Sequence, residues 1–312
     1  MYRTFKYIAL GCLTYVPKLH ATFARGTGGT KSARYCYSVW LRHLVRAHEG
    51  GLPPRLRRVA EIGPGDSLGI GLAALIAGAD QYFAFDVVAH ASSAKNLGVF
   101  DELCELFRGR SDIPGPEEFP EVRPMLTDYR FPSRILDTEV LAAALAADRL
   151  AGLRSDVASL RGRVRYVAPW DGAAVQGEEP VDFILSQAVL EHVDDLDKAY
   201  RAMHDWLAPG GMLSHQIDFK SHGMAKRWNG HLAYSDATWK LMRGRLPYLL
   251  NRSVYSEHLA HLAKYGFVVR SEQRVTDRGG LRREQLAPRF RFVSDEDLIT
   301  CGAHLQCRKP FE

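Results

Sequence analysis

Cysteine is scarce and poorly placed for bridging: Cys12, Cys36, Cys104, Cys301 and Cys307 are an odd number with no C-x-x-C pair. A disulfide framework and a zinc knuckle are excluded, and a reducing cytoplasm is expected. No stretch reaches the roughly 20 apolar residues of a membrane span. The early apolar run Tyr7 to Val16 is broken by Gly11 and Thr14 and lacks a small-residue cleavage pattern before Lys18 and His20, so it does not read as a signal peptide. It reads as an N-terminal helix that packs on the body or lies on a membrane surface. There is no long basic tract: 41 Lys and Arg against 36 acids give a formal charge of +5, spread along the chain, so a nucleic-acid partner is not expected. Internal repeats and low-complexity segments are missing too, which sets aside solenoids and fibres.

What is present is an ordinary globular composition, 46% hydrophobic and 25% charged, on a chain of 312 residues that can bury a sizeable core. Ser32 to His48 places Tyr37, Trp40, Leu41 and Leu44 at helical spacing. Strands are read at Arg58 to Ile62, Gln81 to Val87, Val164 to Pro169, from Val181 ("VDFILS") and at "MLSHQIDF". A helix from Leu68 to Ala79 follows the first strand. Another, Asp194 to Leu207, carries Leu196, Ala199, Tyr200, Met203 and Trp206 on one face and is stopped by Pro209-Gly210-Gly211. Two late strands, "GFVVRSEQ" and "LITCGAHLQCRKP", have no clear helix between them.

The fold expected is therefore α/β: a doubly wound, mostly parallel, seven-stranded Rossmann-like sheet closed by an antiparallel hairpin. Residues 1–50 read as a helical cap segment and 51–312 as the main domain. Insertions at about 95–160 and 220–258 exceed a simple crossover and suit a lid over the substrate.

The chemistry starts at Val59 to Leu75, "VAEIGPGDSLGIGLAAL", where a buried strand turns into a helix through glycines. Gly63 and Gly65 let a ligand approach the backbone, and the helix N-terminus presents free N–H groups. Asp86 lies at the end of the second strand, where a carboxylate can accept both hydroxyls of a ribose. The loop is not the G-x-G-x-x-G of a dinucleotide site. Glu61 and Asp66 would repel a pyrophosphate and favour an ammonium or sulfonium ligand.

Taken with Trp170-Asp171, Leu190-Glu191-His192 and Leu207-Ala208-Pro209-Gly210-Gly211, these residues resemble the class I S-adenosylmethionine-dependent methyltransferases of the small-molecule type. The resemblance implies that Glu61, Gly63 and Gly65 surround the methionine moiety and that Asp86 binds the ribose, while Asp66, an acid inside the loop, is read as a further cofactor contact. It places Trp170 and Asp171 beside the adenine, Ser186 and Gln187 in the floor, and His192 at the cofactor's border. Ser67 stands where the family usually has a third glycine.

Methyl transfer from a sulfonium needs an aligned acceptor and a route for its proton. The stretch Ser186-Gln187-Ala188-Val189 is not the N/D-P-P-Y type of exocyclic-amine methylases, so DNA amino-methylation is not expected. His222 is read as the general base, beside Asp218 at the end of the fifth strand, with His231 nearby. Tyr35, Tyr37, Trp228 and Asn229 are read as substrate contacts. No metal is expected. A chelate by His215, Asp218, His222 and His231 is the alternative, but strand alternation points His215 away from Asp218. The reading in which His222 and His231 only bond loop backbone also stays open.

The function expected is O-methylation of a small molecule, a secondary metabolite or a sugar. N-methylation of a small molecule, RNA or protein, a nicotinamide-dependent oxidoreductase and a non-catalytic binding protein are the alternatives. The aromatic N-terminal segment either covers the site or pairs two subunits.

Overall fold

The computed structural model describes residues 2–15, 29–53, 55–170, 179–246 and 249–311. Its sheet has seven strands in the order β3-β2-β1-β4-β5-β7-β6. Strands β1 (Arg58–Ile62), β2 (Gln81–Phe85), β3 (Val164–Val167), β4 (Val181–Gln187) and β5 (Leu207–Asp218) pair in parallel. The last strand, β7 (Thr300–Arg308), lies antiparallel between β5 and β6 (Val268–Thr276).

Helices cover both faces, which is why β1, β2 and β4 are near-continuous apolar runs. One face packs against α2 (Ala33–Glu49), α3 (Gly69–Ile76), α4 (Ser93–Arg108) and α6 (Ala147–Ser159), and the other against α7 (Leu196–Trp206) and α9 (Tyr255–Lys264). Val59, Tyr82 and Phe183 belong to the first core, and Ile62, Phe83 and Ile184 to the second. At one point the first interface is very close: a Cβ on Gly71 of α3 would fall inside the Tyr82 ring.

The fifth strand starts earlier than "MLSHQIDF". Leu207 already pairs with Val181, and the register shifts between Val181 and Phe183, so Pro209 sits at an irregularity where it breaks no regular ladder. Alternation along β5 is as expected: Ser214 faces His43 of α2 while His215 faces Ser186 of β4.

The chain between β2 and β3 holds α4, α5 (Thr138–Ala144) and α6. Its loop is fastened to α2 by the fully buried Arg42, whose guanidinium donates to the Val122 and Pro114 carbonyls at 2.7 and 2.8 Å and to Ser38 Oγ at 3.0 Å. After β5, a second excursion carries α8 (Asp236–Arg243). The N-terminal helix α1 (Tyr2–Leu13) packs on it, with Tyr7 and Ile8 against Met224, Trp239, Met242 and Leu250.

Several histidines are core residues. Burial, above all, pulls His43 to about 4 and His215 and His258 to about 3. His258 lies away from the cavity described below, with Nδ1 3.0 Å from the Tyr200 hydroxyl. In the unfolded chain an imidazole titrates near 6.5. As pH falls through that value the unfolded chain takes up protons that the folded chain refuses, so this contribution to stability is full above about 6.5 and fades between there and the folded value. Replacing His258 by Gln should shrink the loss of unfolding free energy between pH 7.5 and pH 5 by about 2 kcal/mol relative to the parent. Denaturant titrations at both pH values measure the difference, and an unchanged loss would refute it.

Candidate active site

A cavity of about 510 Å³ opens at the C-terminal ends of β1, β2 and β4, the place where open α/β sheets keep their ligands. One wall is the loop after β1. Gly63 and Gly65 adopt φ of +68° and +73°, and Gly63 turns so closely beneath Val189 that an added Cβ would lie 2.5 Å from its methyl. Leu68 then hands the chain to α3, and the Leu68 amide donates to Asn96 at 3.0 Å.

Asp86 follows β2 and lines the same cavity while only 7% exposed. Its carboxylate accepts from the amides of Val87 at 2.7 Å and Gly65 at 3.3 Å, so the acid and the glycine loop hold each other. Burial raises the Asp86 carboxyl, and these amides work against that. Trp170 closes this end, its amide donating to the Asp86 carbonyl at 3.0 Å and its ring leaning on Phe85 and Trp206.

The opposite wall comes from β4 and the chain after β5. Gln187 lines the cavity and accepts from His43 Nε2 at 2.9 Å. Ala188 follows in a left-handed conformation, φ +54°, with its amide on the Gln216 carbonyl. The 3₁₀ turn Leu190–His192 is clamped by Asn251, whose side-chain amide donates to the Leu190 and Val193 carbonyls and whose backbone amide donates to the Glu191 carbonyl. His192 and His222 both line the cavity with rings 5.2 Å apart. His222, at φ +46°, lies 3.2 Å from Asp218. Burial raises the Asp218 carboxyl, but hydrogen bonds from His222 and the Lys220 amide outweigh it and hold the group below its ordinary value.

A hollow of about 540 Å³ lies on the far side of His222 and Asp218, lined also by Lys220, Lys226, Arg227 and Trp228. His222 therefore borders two spaces, one bounded by the glycine loop and the other, which Asp218 also lines, rich in basic side chains.

The family described as "Methyltransferase domain" matches residues 41–272. The chain belongs to this methyltransferase-domain family. No curated protein matches the sequence. Solved structures similar to it include the N-methyltransferase NodS from Bradyrhizobium japonicum in complex with S-adenosyl-L-homocysteine. That chain is 11% identical, with a TM-score of 0.40, covering 89% of this chain and 87% of that one. Phosphoethanolamine N-methyltransferase 2 from Haemonchus contortus, in complex with S-adenosyl-L-methionine, is 14% identical with a TM-score of 0.42, covering 89% of this chain and 56% of that one. An S-adenosylmethionine-dependent methyltransferase from Mesorhizobium loti is 13% identical with a TM-score of 0.41, covering 85% and 97% respectively.

In the methyltransferase domain the expected site residues divide into those at the cavity and those behind it. Gly63, Gly65, Asp86, Trp170, Gln187, His192, Tyr35 and His222 line it. Asp171 lies outside the described residues. Glu61 is behind the loop: it is buried on the α3 side of β1 and accepts from the Tyr82 hydroxyl. Burial pushes its carboxyl up to about 7, against the Tyr82 hydrogen bond. Asp66 faces Lys31 at 3.6 Å, and Ser186 bonds His215 at 2.8 Å.

Tyr37, read as a substrate contact, is instead fully buried with its hydroxyl donating to the Ser111 carbonyl at 2.6 Å, because its helix face meets the loop fastened by Arg42. Asn229 is also a structural residue: its side chain accepts from the Leu281 amide at 2.6 Å and donates to the Leu281 carbonyl at 3.1 Å. Trp228 donates to the Asp277 carbonyl at 3.0 Å and borders only the basic hollow. His231 is 4% exposed, does not line the cavity, and is pulled to about 3, chiefly by burial and then by the His222 and Arg252 charges.

Glu191 had no assigned role, and only its place in "L-E-H" singled it out. It lies immediately behind His192 and His222, and both of its buried carboxylate oxygens lack a hydrogen-bond partner among the described residues.

Gly63 gives a direct check of the loop. Gly63→Ala must place a Cβ at a left-handed φ and push Val189 aside, which together should cost about 2–4 kcal/mol of unfolding free energy. Adding Val189→Ala should recover the packing share and leave the backbone share. Chemical denaturation of the single and double variants reads both, and a neutral Gly63→Ala would refute this loop geometry.

Proposed function

We propose that the chain is an S-adenosylmethionine-dependent methyltransferase that methylates a hydroxyl of a small molecule. The observation that carries the reading is the joint hold of Gly65 and Val87 amides on Asp86, at the mouth of a cavity of suitable size. A volume of about 510 Å³ lies in the usual range for cofactor sites. When bound, the cofactor supplies an electrophilic methyl on a sulfonium.

In this reading the bare backbone of Gly63 and Gly65 accommodates the methionine end and Asp86 accepts the ribose hydroxyls. Trp170 offers an aromatic face to the adenine. Burial pushes the Tyr35 hydroxyl up to about 12, so it is a donor at neutral pH on the same wall. His222, oriented by Asp218, activates the acceptor hydroxyl, and the acceptor reaches it at the end of the cavity away from Trp170. The hydroxyl, not an amine, is favoured because neutral amines need no deprotonation before attack, whereas a hydroxyl needs the polar wall that His192 and His222 provide, with Asp218 behind His222.

Calorimetric titration of the purified protein with S-adenosylmethionine, S-adenosylhomocysteine and NAD tests the cofactor. The first two should bind and NAD should not. Asp86→Asn should weaken S-adenosylhomocysteine by roughly tenfold or more, since two charge-assisted hydrogen bonds become neutral ones. Binding of NAD alone, or of nothing, would overturn the proposal.

A further inference from the structure

We propose that Glu191, His192 and His222 form a binding site for a divalent transition-metal ion in the acceptor-side wall of the cavity. One donor atom from each residue lies within 4.8 Å of the others. Ligand atoms around an ion with bonds of roughly 2.0–2.2 Å are about 3–4.2 Å apart, so small side-chain rotations close the set.

Two further observations point to a ligand. The Glu191 carboxyl is 3% exposed, and neither oxygen makes a hydrogen bond of ordinary geometry among the described residues, the Glu191 and Asp218 amides being its only polar company from the backbone there. A buried carboxylate so weakly held is costly, and a cation between it and the two imidazoles would satisfy it. The second is the Asp218 carboxylate 3.2 Å from His222 Nε2. That is the carboxylate–histidine arrangement that orients metal-ligating imidazoles; with the ion bound, His222 serves as its ligand and the ion takes over the activation of the acceptor hydroxyl.

The set that residue type alone offers is a different one, His215, Asp218, His222 and His231. The structure separates it: His215 bonds Ser186 on the opposite face of the sheet, and His231 is enclosed in the core beside Trp239.

Two imidazoles and one carboxylate suit Zn²⁺, Mn²⁺ or Fe²⁺ better than the all-oxygen preference of Mg²⁺ or Ca²⁺. His192 and His222 line the cavity while Glu191 lies behind them, so the coordination positions left open face the cavity. Acceptors with two neighbouring oxygens, a diol or a hydroxyl beside a carboxylate, could occupy them. This substrate class rests on the methyltransferase reading, whereas the ion site stands on its own residues.

The test uses the full-length protein freed of metal with a chelator. Loss of the free Mn²⁺ resonance signal on titration should report one Mn²⁺ per chain, displaced by Zn²⁺. Glu191→Gln and His222→Gln should each weaken Mn²⁺ by roughly 100-fold, and Asp218→Asn by about 10- to 100-fold, as expected for an outer partner. Calorimetry with S-adenosylhomocysteine on the same variants separates loss of the ion site from loss of the fold. Should a variant fail to fold, Co²⁺ added to the parent protein should give the visible absorption of a site with nitrogen and oxygen ligands. Absence of stoichiometric Mn²⁺ binding, or binding indifferent to Glu191→Gln, overturns the ion site even if S-adenosylhomocysteine binds. Failure of S-adenosylhomocysteine to bind the parent instead overturns the methyltransferase reading and the acceptor class with it.

Discussion

The polar seam along α2 is the interaction on which the other parts depend. Arg42 and His43 are adjacent, and both are fully buried. Arg42 points outward into the loop between α4 and α5, where carbonyls, Ser38, Met125 and the face of the Tyr129 ring hold it, with no carboxylate hydrogen-bonded to it among the described residues. His43 points inward to the sheet, donating from Nε2 to Gln187 and accepting from Ser214 at Nδ1, 2.7 Å away. Ser214 is bonded in turn to His304 and Gln306 of β7. Loss of one partner would leave a charge or an imidazole unsatisfied in the core, which costs several kcal/mol. The seam thus joins the insertion, α2, β4, β5 and β7, and Gln187 carries it to the cavity wall.

Much of this architecture could be read from the chain because local pattern and tertiary fate agree in the sheet. The strands, the glycine turn and Asp86 at the end of β2 follow from short-range rules about alternation, φ and strand ends. The parts that could not be read depend on contacts between residues far apart in sequence. Tyr37 and Asn229 were read as substrate contacts from their residue type and surroundings, but their partners, Ser111 and Leu281, are 74 and 52 positions away. Arg42 in an amphipathic helix resembles a solvated charge until the loop that covers it is placed. Glu191 was hidden for a different reason: its neighbours in the turn are near in sequence, but His222 comes from the chain after β5, and only the parallel pairing of β4 with β5 unites them.

The structure also changes the physical argument for the cofactor. By their charge in the sequence, Glu61 and Asp66 are the residues expected to repel anions. Glu61 instead accepts from the Tyr82 hydroxyl, and burial raises its carboxyl to about 7. Asp66 faces a lysine. In the proposed reading, discrimination between a ribose-bearing cation and a dinucleotide then falls to the shape of the glycine turn under Val189, since an acid at the place of Asp86 serves a ribose in either ligand. Gly71 still has a part in this, because only a residue without a side chain lets α3 approach closely enough for Tyr82 to reach Glu61 behind the loop.

Part of the backbone strain lies where the chemistry is proposed. Among the described residues, five that are not glycine adopt positive φ, and two of them, Ala188 and His222, line the cavity. Each such conformation costs about 1–2 kcal/mol. Neither can be relieved without moving a functional group. Relaxing Ala188 would release its amide from Gln216 and shift Gln187, while relaxing His222 would swing its ring away from Asp218 and His192. The hydrogen bonds that oppose this come from β5, the Gln216 carbonyl for Ala188 and the Asp218 carboxylate for His222. That the backbone is held in this way, on both sides of one wall, means the fold fixes the direction in which His192, His222 and Gln187 face, and that direction is into the cavity.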